Sequence, residues 1–189
     1  MTTYLSTAGQ YTGFDCVGFA IRWCQRTLGA KNANFRFIHS DIYNRQYNRK
    51  GRIDARQYAF PVQGGSVSFC LATSLFTHLL PGTTERYVSE VARVLRPGGR
   101  FLSTWFLLDE KTESNAAAGK AEFKFGYRFE KHAQVNIHAP EEAVAYRLDY
   151  LEDLFAGIGL VVVGVYHGGW SGTEDRIDSG QDIIVCRRV

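Results

Sequence analysis

FPVQGGSVSFCLATSLFTHLLPGTTERYVSEVARVLRPGGRFLSTWFLLDE, residues 60–110, is the stretch of sequence that decides the fold. Ser66–Thr73 is a run of small, β-branched and aromatic residues, which predicts a strand covered on both faces. Arg100–Leu107 has the same character and predicts a second strand. The segment between them is long enough for a crossover helix, so the unit predicts two parallel strands joined by a right-handed connection.

The crossover helix carries its own signals. Thr83 and Thr84 are predicted to cap its start, and Pro97-Gly98-Gly99 is predicted to end it in a tight turn. The apolar residues between these limits recur every three or four positions and predict one buried stripe. That stripe comprises Tyr87, Val88, Val91, Val94 and Leu95.

These segments, taken in order, resemble the second half of class I S-adenosylmethionine-dependent methyltransferases. The strand end Thr73–Leu79 and the later Val91–Arg100, with its Leu-Arg-Pro-Gly-Gly turn, carry the resemblance, which extends from about Tyr11 to the C-terminus. The resemblance implies an α/β fold of the three-layer Rossmann-like kind. Its sheet would be mostly parallel, with an antiparallel C-terminal strand.

The size of the chain predicts a single methyltransferase-like domain over residues 1–189. Apolar residues make up 45% of the sequence, enough for a full core, and the formal net charge is only +3. We find no apolar run of membrane-spanning length and no export signal, and the four cysteines lack metal-ligand spacing. Free thiols and the absence of a leader predict a cytoplasmic protein without metal or membrane partners.

The remaining segments predict further elements. Strands are expected at Tyr11–Cys16, Asn34–Ile38, Leu160–Tyr166 and Asp182–Arg187, and helices at Val17–Leu28 and Glu141–Phe155. Asp109–Pro140 is polar and reads as an insertion, within which Ala121–Glu130 alternates like a strand or hairpin arm. In the family, insertions at this place shape the acceptor pocket.

Two aspartates follow the first two strands, where α/β sheets bind their ligands. By resemblance, Asp15 would hold the ribose of S-adenosylmethionine, the alternative being a cap for the helix that follows. Asp41 would bind the adenine amino group and Ile42 would cover the ring, the alternative being an ordinary loop aspartate. Ala72 and Thr73 would flank the methionine part.

Near the acceptor, the resemblance implies Phe76 and His78 as substrate residues. His78 is a candidate general base, with a purely structural histidine as the alternative. Methyl transfer from a sulfonium depends mainly on positioning, so the lack of an acid–base pair is compatible with a transferase.

The family normally begins with a strand and a glycine-rich loop, and residues 1–10 lack both, so the domain is interpreted as N-terminally truncated. Three arrangements remain open: the sheet closes up in family order 3-2-4-5-7-6, Thr3–Thr7 fills the slot, or a second copy covers it in a homodimer.

Arg45–Tyr58 is a basic segment with interleaved tyrosines. A solvated surface loop explains it better than a nucleic-acid site, and a role in covering substrate is a third reading. The sequence therefore predicts a methyltransferase that uses S-adenosylmethionine on a small-molecule acceptor. The alternative is a non-catalytic module for binding or dimerisation.

Overall fold

A computed structural model describes residues 8–189, and Thr3–Thr7 lies outside these residues. The chain divides into two compact units, the first running to Val62 and the second spanning Gln63–Val189. The first unit contains β1 (Tyr11–Asp15), α1 (Gly18–Thr27) and β2 (Phe35–His39). The two strands pair in parallel, as a βαβ connection requires.

The second unit opens with β3 (Val67–Ala72), α2 (Pro81–Val94) and β4 (Leu95–Trp105). Strands β3 and β4 are parallel, which confirms the predicted βαβ unit. The chain ends with β9 (Leu160–Tyr166) and β10 (Asp182–Arg188), and the sheet has the order β3-β4-β10-β9. This order reproduces the family order 4-5-7-6, whereas the joining of β1 and β2 to that sheet stays a prediction.

A second four-stranded sheet forms between β4 and β9. Its elements are β5 (Leu107–Leu108), α3 (Glu110–Ala117), β6 (Tyr127–Arg128), β7 (His132–Gln134) and β8 (Val144–Arg147), followed by α4 (Leu148–Gly157). The strand order is β5-β8-β7-β6, with β5 and β8 parallel and the other pairs antiparallel. The proposed insertion 109–140 thus contributes a helix and a hairpin, although the hairpin arm is shorter than Ala121–Glu130.

Two corrections concern helix starts. Helix α2 begins at Pro81, and neither Thr83 nor Thr84 caps it, because Pro81 already fixes the first turn and the Thr84 hydroxyl is bonded to that of Tyr146 at 2.9 Å. The helix expected at Glu141–Phe155 starts only at Leu148. Its predicted first turn is instead β8, which is buried between β5 and β7.

The helix-ending signal acts differently from the expectation. Helix α2 passes directly into β4, and Pro97-Gly98-Gly99 lies inside that strand where its register with β3 shifts. Gly98 has φ +75°, a backbone conformation that side chains with a Cβ rarely adopt. The three residues therefore lie in a bulge of β4, and the predicted turn is part of this strand.

The core of the second unit is formed by helix and strand residues that are far apart in sequence. The whole stripe of α2 is buried as predicted, together with Phe101 and Trp105 of β4 and Leu151 and Phe155 of α4. A second cluster lies under the β5–β8 sheet and contains Phe106, Leu108, Phe125, Ala133, Ala143, Ala145 and Trp170. The expectation that β3 is covered on both faces is wrong, since Phe69 is 53% and Leu71 43% exposed.

Candidate functional site

The carboxyl ends of β1 and β2 lie side by side. Asp15 stands opposite His39 in the parallel register, and the Ser40 amide donates to the Asp15 carbonyl oxygen at 2.9 Å. Asp41 follows directly, so the two predicted aspartates occupy one edge of the same two-stranded sheet. This edge is where ligands bind in α/β folds.

The Asp15 side chain is exposed and also contacts the backbone that leads into the following helix. Its Oδ1 accepts a hydrogen bond from the Val17 amide at 2.8 Å, beside the first turn of α1. Burial raises the pKa of the neighbouring Cys16 thiol to about 11, and the Asp15 charge adds to that shift. Asp15 therefore holds the backbone just before α1 without capping the helix, and solvent reaches its carboxylate.

Asp41 is held in position by Arg52, a partner that the sequence alone does not reveal. Its Oδ2 accepts from Arg52 Nε at 2.6 Å, and its carbonyl oxygen accepts from the amides of Arg52 and Ile53. Ile42, the predicted cover for an aromatic ring, is buried and forms a β-bridge with Ile53. The basic segment thus folds back along the end of β2, which its charge alone could not reveal.

The end of β3 in the second unit carries local backbone strain. Ser74, just beyond the predicted Ala72 and Thr73, has φ +50°, which is uncommon for a residue other than glycine. Its amide donates to Thr104 Oγ1 at 2.8 Å and its hydroxyl to Gln181 Oε1 at 3.2 Å. Strained residues held by such contacts concentrate at functional sites. This strand end is therefore a candidate functional edge of the β3-β4-β10-β9 sheet.

Phe76 and His78 follow in a short 3₁₀ turn with different surroundings. Phe76 is buried and stacks on Trp105 with ring centroids 4.3 Å apart, so it would have to leave this stack to contact an acceptor. His78 is half-buried, and its Nδ1 lies 3.0 Å from the Glu141 carbonyl oxygen. Because a carbonyl only accepts, Nδ1 carries the hydrogen, and Nε2 of a neutral ring is left as the proton acceptor.

A buried carboxylate, absent from the sequence predictions, organises the neighbouring loops. Asp182 begins β10 and accepts from the amides of Leu107 and Gly168 and from Trp170 Nε1, at 2.6–2.8 Å. His167 lies between Asp182 and Asp109, with nitrogen–oxygen distances of 3.5 Å and 3.2 Å. The Asp182 carboxylate, followed by Asp109, holds the pKa of His167 above its usual value against the opposing effect of burial.

Two open depressions adjoin Asp109 and Glu110. One has a volume of about 520 Å³ and is lined by the start of α3, and the other, of about 430 Å³, extends to Arg147 and the start of α4. Across residues 8–189, no group of three or more His, Cys, Asp or Glu side chains is arranged to hold a metal ion. Over the same residues, no helix is long and apolar enough to cross a membrane.

The family model described as a methyltransferase domain matches residues 1–103, more than half of the chain. The chain therefore belongs to the methyltransferase domain family, and the resemblance to class I methyltransferases is confirmed. The α/β fold and its antiparallel C-terminal strand are confirmed with it.

Solved structures share this fold at low sequence identity. The PH0226 protein from Pyrococcus horikoshii is 15% identical with a TM-score of 0.59, and the match covers 95% of this chain and 72% of that one. A Burkholderia thailandensis 1,6-didemethyltoxoflavin-N1-methyltransferase is 14% identical with a TM-score of 0.55, and the match covers 94% of this chain and 60% of that one. The magnesium protoporphyrin IX methyltransferase of Synechocystis is 12% identical with a TM-score of 0.54, and the match covers 95% of this chain and 64% of that one. The chain thus spans less than two thirds of the latter two proteins.

Proposed function

We propose that this chain binds S-adenosylmethionine and transfers its methyl group to a small-molecule acceptor. The observation that carries the proposal is the pair of aspartates at the shared carboxyl edge of β1 and β2, in a chain of the methyltransferase domain family. A carboxylate at such an edge can accept hydrogen bonds from the hydroxyls and amino group of a nucleoside.

The residues present fit the nucleoside part of the cofactor. Asp15 is exposed and would accept from the ribose hydroxyls, while its contact with the Val17 amide keeps the carboxylate oriented. Asp41 is one-third exposed and would accept from the adenine amino group while sharing its charge with Arg52. Ile42 would contribute apolar contact to the ring.

In the second unit, we propose that Ala72 and Thr73 contact the methionine part, that His78 borders the acceptor, and that Phe76 supports the acceptor site from within the core. His78 is the candidate for proton removal from the acceptor, because its Nδ1 is bonded to the Glu141 carbonyl and Nε2 remains as the basic atom. Phe76 would contribute through the Trp105 stack that fixes the turn carrying His78.

The bound cofactor would supply a methyl group already activated on a sulfonium. The protein residues then need to orient the acceptor and exclude water, and correct positioning can contribute roughly 7–11 kcal/mol to lowering a bimolecular barrier. The toxoflavin-type methyltransferase from Burkholderia was solved with 1,6-didemethyltoxoflavin and S-adenosylhomocysteine, and the Synechocystis enzyme with S-adenosylhomocysteine. These two structures support the proposed cofactor, and the first supports a small organic acceptor.

Calorimetric titration with S-adenosylhomocysteine tests the cofactor proposal. We expect binding by the full chain, and at a hundred times Kd an increase of about 2.7 kcal/mol in the free energy of unfolding. Asp15→Ala should weaken binding about tenfold or more, because a hydrogen bond to a charged group contributes roughly 1.5–3 kcal/mol. Asp153→Ala, which removes an exposed carboxylate from α4, is the matched control. Absence of binding at millimolar ligand would overturn the proposal.

The alternative, a module that binds without catalysing transfer, is favoured by one observation. Phe76 is committed to the core, so the predicted acceptor site would have to form around His78 without it. Transfer of a radiolabelled methyl group to a panel of small heteroaromatic and phenolic acceptors distinguishes the two. Binding of S-adenosylhomocysteine without transfer to any of them would favour the alternative.

A further inference from the structure

The basic loop, residues 41–58, is an ordered platform in the first unit. Asn44 Oδ1 accepts from the amides of Gln46 and Tyr47 at 2.9 and 2.8 Å, and Asn48 Nδ2 donates to the Ile42 carbonyl oxygen at 2.9 Å. At Gly51 an added Cβ would lie 2.2 Å from the Ile42 carbonyl oxygen, so the backbone closes only because this residue is glycine. These contacts hold the loop in one conformation.

The scaffold presents two aromatic rings to solvent. Tyr43 is 53% and Tyr47 55% exposed, and they flank the Asn44 turn. The other tyrosine of the loop, Tyr58, is buried, so both exposed rings of the loop lie at the turn. An aromatic side chain contributes stacking and apolar contact when a partner covers it, and these two rings are accessible for that contact.

The same loop concentrates positive charge. It holds five cationic residues against two carboxylates, a difference equal to the formal net charge of +3 for the whole chain. Arg52 and Arg56 are paired with Asp41 and Asp54. The other three, Arg45, Arg49 and Lys50, are exposed and form no ion pair within residues 8–189.

We propose that the basic loop binds single-stranded nucleic acid, with phosphates on Arg45, Arg49 and Lys50 and bases stacked on Tyr43 and Tyr47. Cations that follow a phosphate backbone beside aromatic rings that take bases are the two components of sequence-tolerant single-strand binding. The sequence alone favoured a solvated loop, and the internal scaffold with its exposed rings reverses that preference. The loop also contains Asp41 and Ile42, the proposed adenine contacts, but single-strand binding by Tyr43–Lys50 does not require methyl transfer.

Fluorescence anisotropy of a labelled 12-nucleotide oligouridylate with the full chain tests the proposal. Three phosphate contacts on a single strand predict a salt slope near −2, so affinity should fall about twentyfold between 50 and 200 mM salt. The triple variant Arg45→Ala, Arg49→Ala, Lys50→Ala should flatten that dependence and abolish most binding at 50 mM. A control removing the same charge elsewhere, Arg96→Ala, Lys120→Ala, Lys124→Ala, should leave binding unchanged.

The rings are tested separately. Tyr43→Ala with Tyr47→Ala should weaken binding about tenfold or more, whereas Tyr43→Phe with Tyr47→Phe should retain it, because stacking needs the ring and not the hydroxyl. The proposal is overturned by no binding at 50 mM salt, or by equal losses in the two charge variants. It is also overturned if phosphatidylserine vesicles, and not the oligonucleotide, bind in a loop-dependent way.

Discussion

One buried carboxylate at the start of β10, that of Asp182, connects segments that are distant in sequence. Asp182 is fully buried, yet it satisfies three N–H groups from the chain after β4 and the loop after β9. A buried carboxylate is tolerated only when such partners compensate for its lost hydration. His167 adds a fourth contact and extends the network to Asp109, which caps α3.

This network predicts a pH dependence of stability. The folded-state pKa of His167 lies above its unfolded value because Asp182 and Asp109 favour the imidazolium, with Lys111 opposing them. Its contribution is therefore complete below the unfolded pKa and is lost as pH rises through the folded pKa. We expect the difference in unfolding free energy between the parent and His167→Gln to shrink from pH 5.5 to 8.5, as measured by urea denaturation.

Comparison with the variant at each pH isolates His167 from His132, whose pKa is lowered by burial and which acts in the opposite sense. A difference that stayed constant or increased with pH would contradict the assigned ion pairs.

The residues of the site were predictable to different degrees. Asp15 and Asp41 follow strands in the sequence, so their common edge could be inferred from topology alone. Arg52 and Asp182 could not be assigned, because their partners are brought together by loop conformations that leave no periodic signal. Ser74 gave no warning either, since its positive φ is imposed by contacts with Thr104 and Gln181.

At the scale of elements, patterns confined to one element predicted it correctly, whereas a helical spacing that continued across an element boundary gave a wrong helix start. The stripe of α2 and the run of β9 were recognised because each repeats one pattern over several positions. In Glu141–Phe155, Val144 continued the three-and-four spacing of Leu148, Leu151 and Phe155 and so suggested one helix. The continuous run Ala143–Tyr146 is instead typical of a strand buried on both faces, and its pairing partners lie in sequence-distant β5 and β7.

The inner face of α4 should carry most of the stability of that helix. Leu151 is fully buried, so Leu151→Ala should reduce the free energy of unfolding by about 2–5 kcal/mol through lost burial and a residual cavity. Its exposed neighbour Glu152 provides the control, and Glu152→Ala should change stability by less than about 0.5 kcal/mol. Urea denaturation followed by circular dichroism measures both, and similar effects would contradict the assigned orientation of the helix.

At the scale of the molecule, the second unit contains the buried stripe of α2, the cluster under the β5–β8 sheet and both four-stranded sheets. We therefore expect residues 63–189 to fold without the first unit, giving dispersed amide resonances and a cooperative thermal transition. The same fragment with Trp105→Ala should lose that cooperativity, because this ring packs against Phe76, Tyr146 and Phe155. A fragment that binds a hydrophobic dye and melts gradually would refute the prediction.

Several whole-chain predictions remain to be measured. Three of these stay predictions: the single-domain organisation over residues 1–189, the homodimer and the cytoplasmic location. Light scattering of the purified chain would measure whether it forms a homodimer.

The placement of charge in the basic loop has a consequence for how the molecule moves. Outside that loop, lysine and arginine residues equal aspartate and glutamate residues in number, so the remainder of the chain is electrically neutral. Near a polyanion, the electrostatic field would rotate the whole protein so that the basic loop faces the polyanion before any contact is made. Retention on a cation exchanger should accordingly follow the local field of the loop, and it should persist at a pH where the protein as a whole has no net charge.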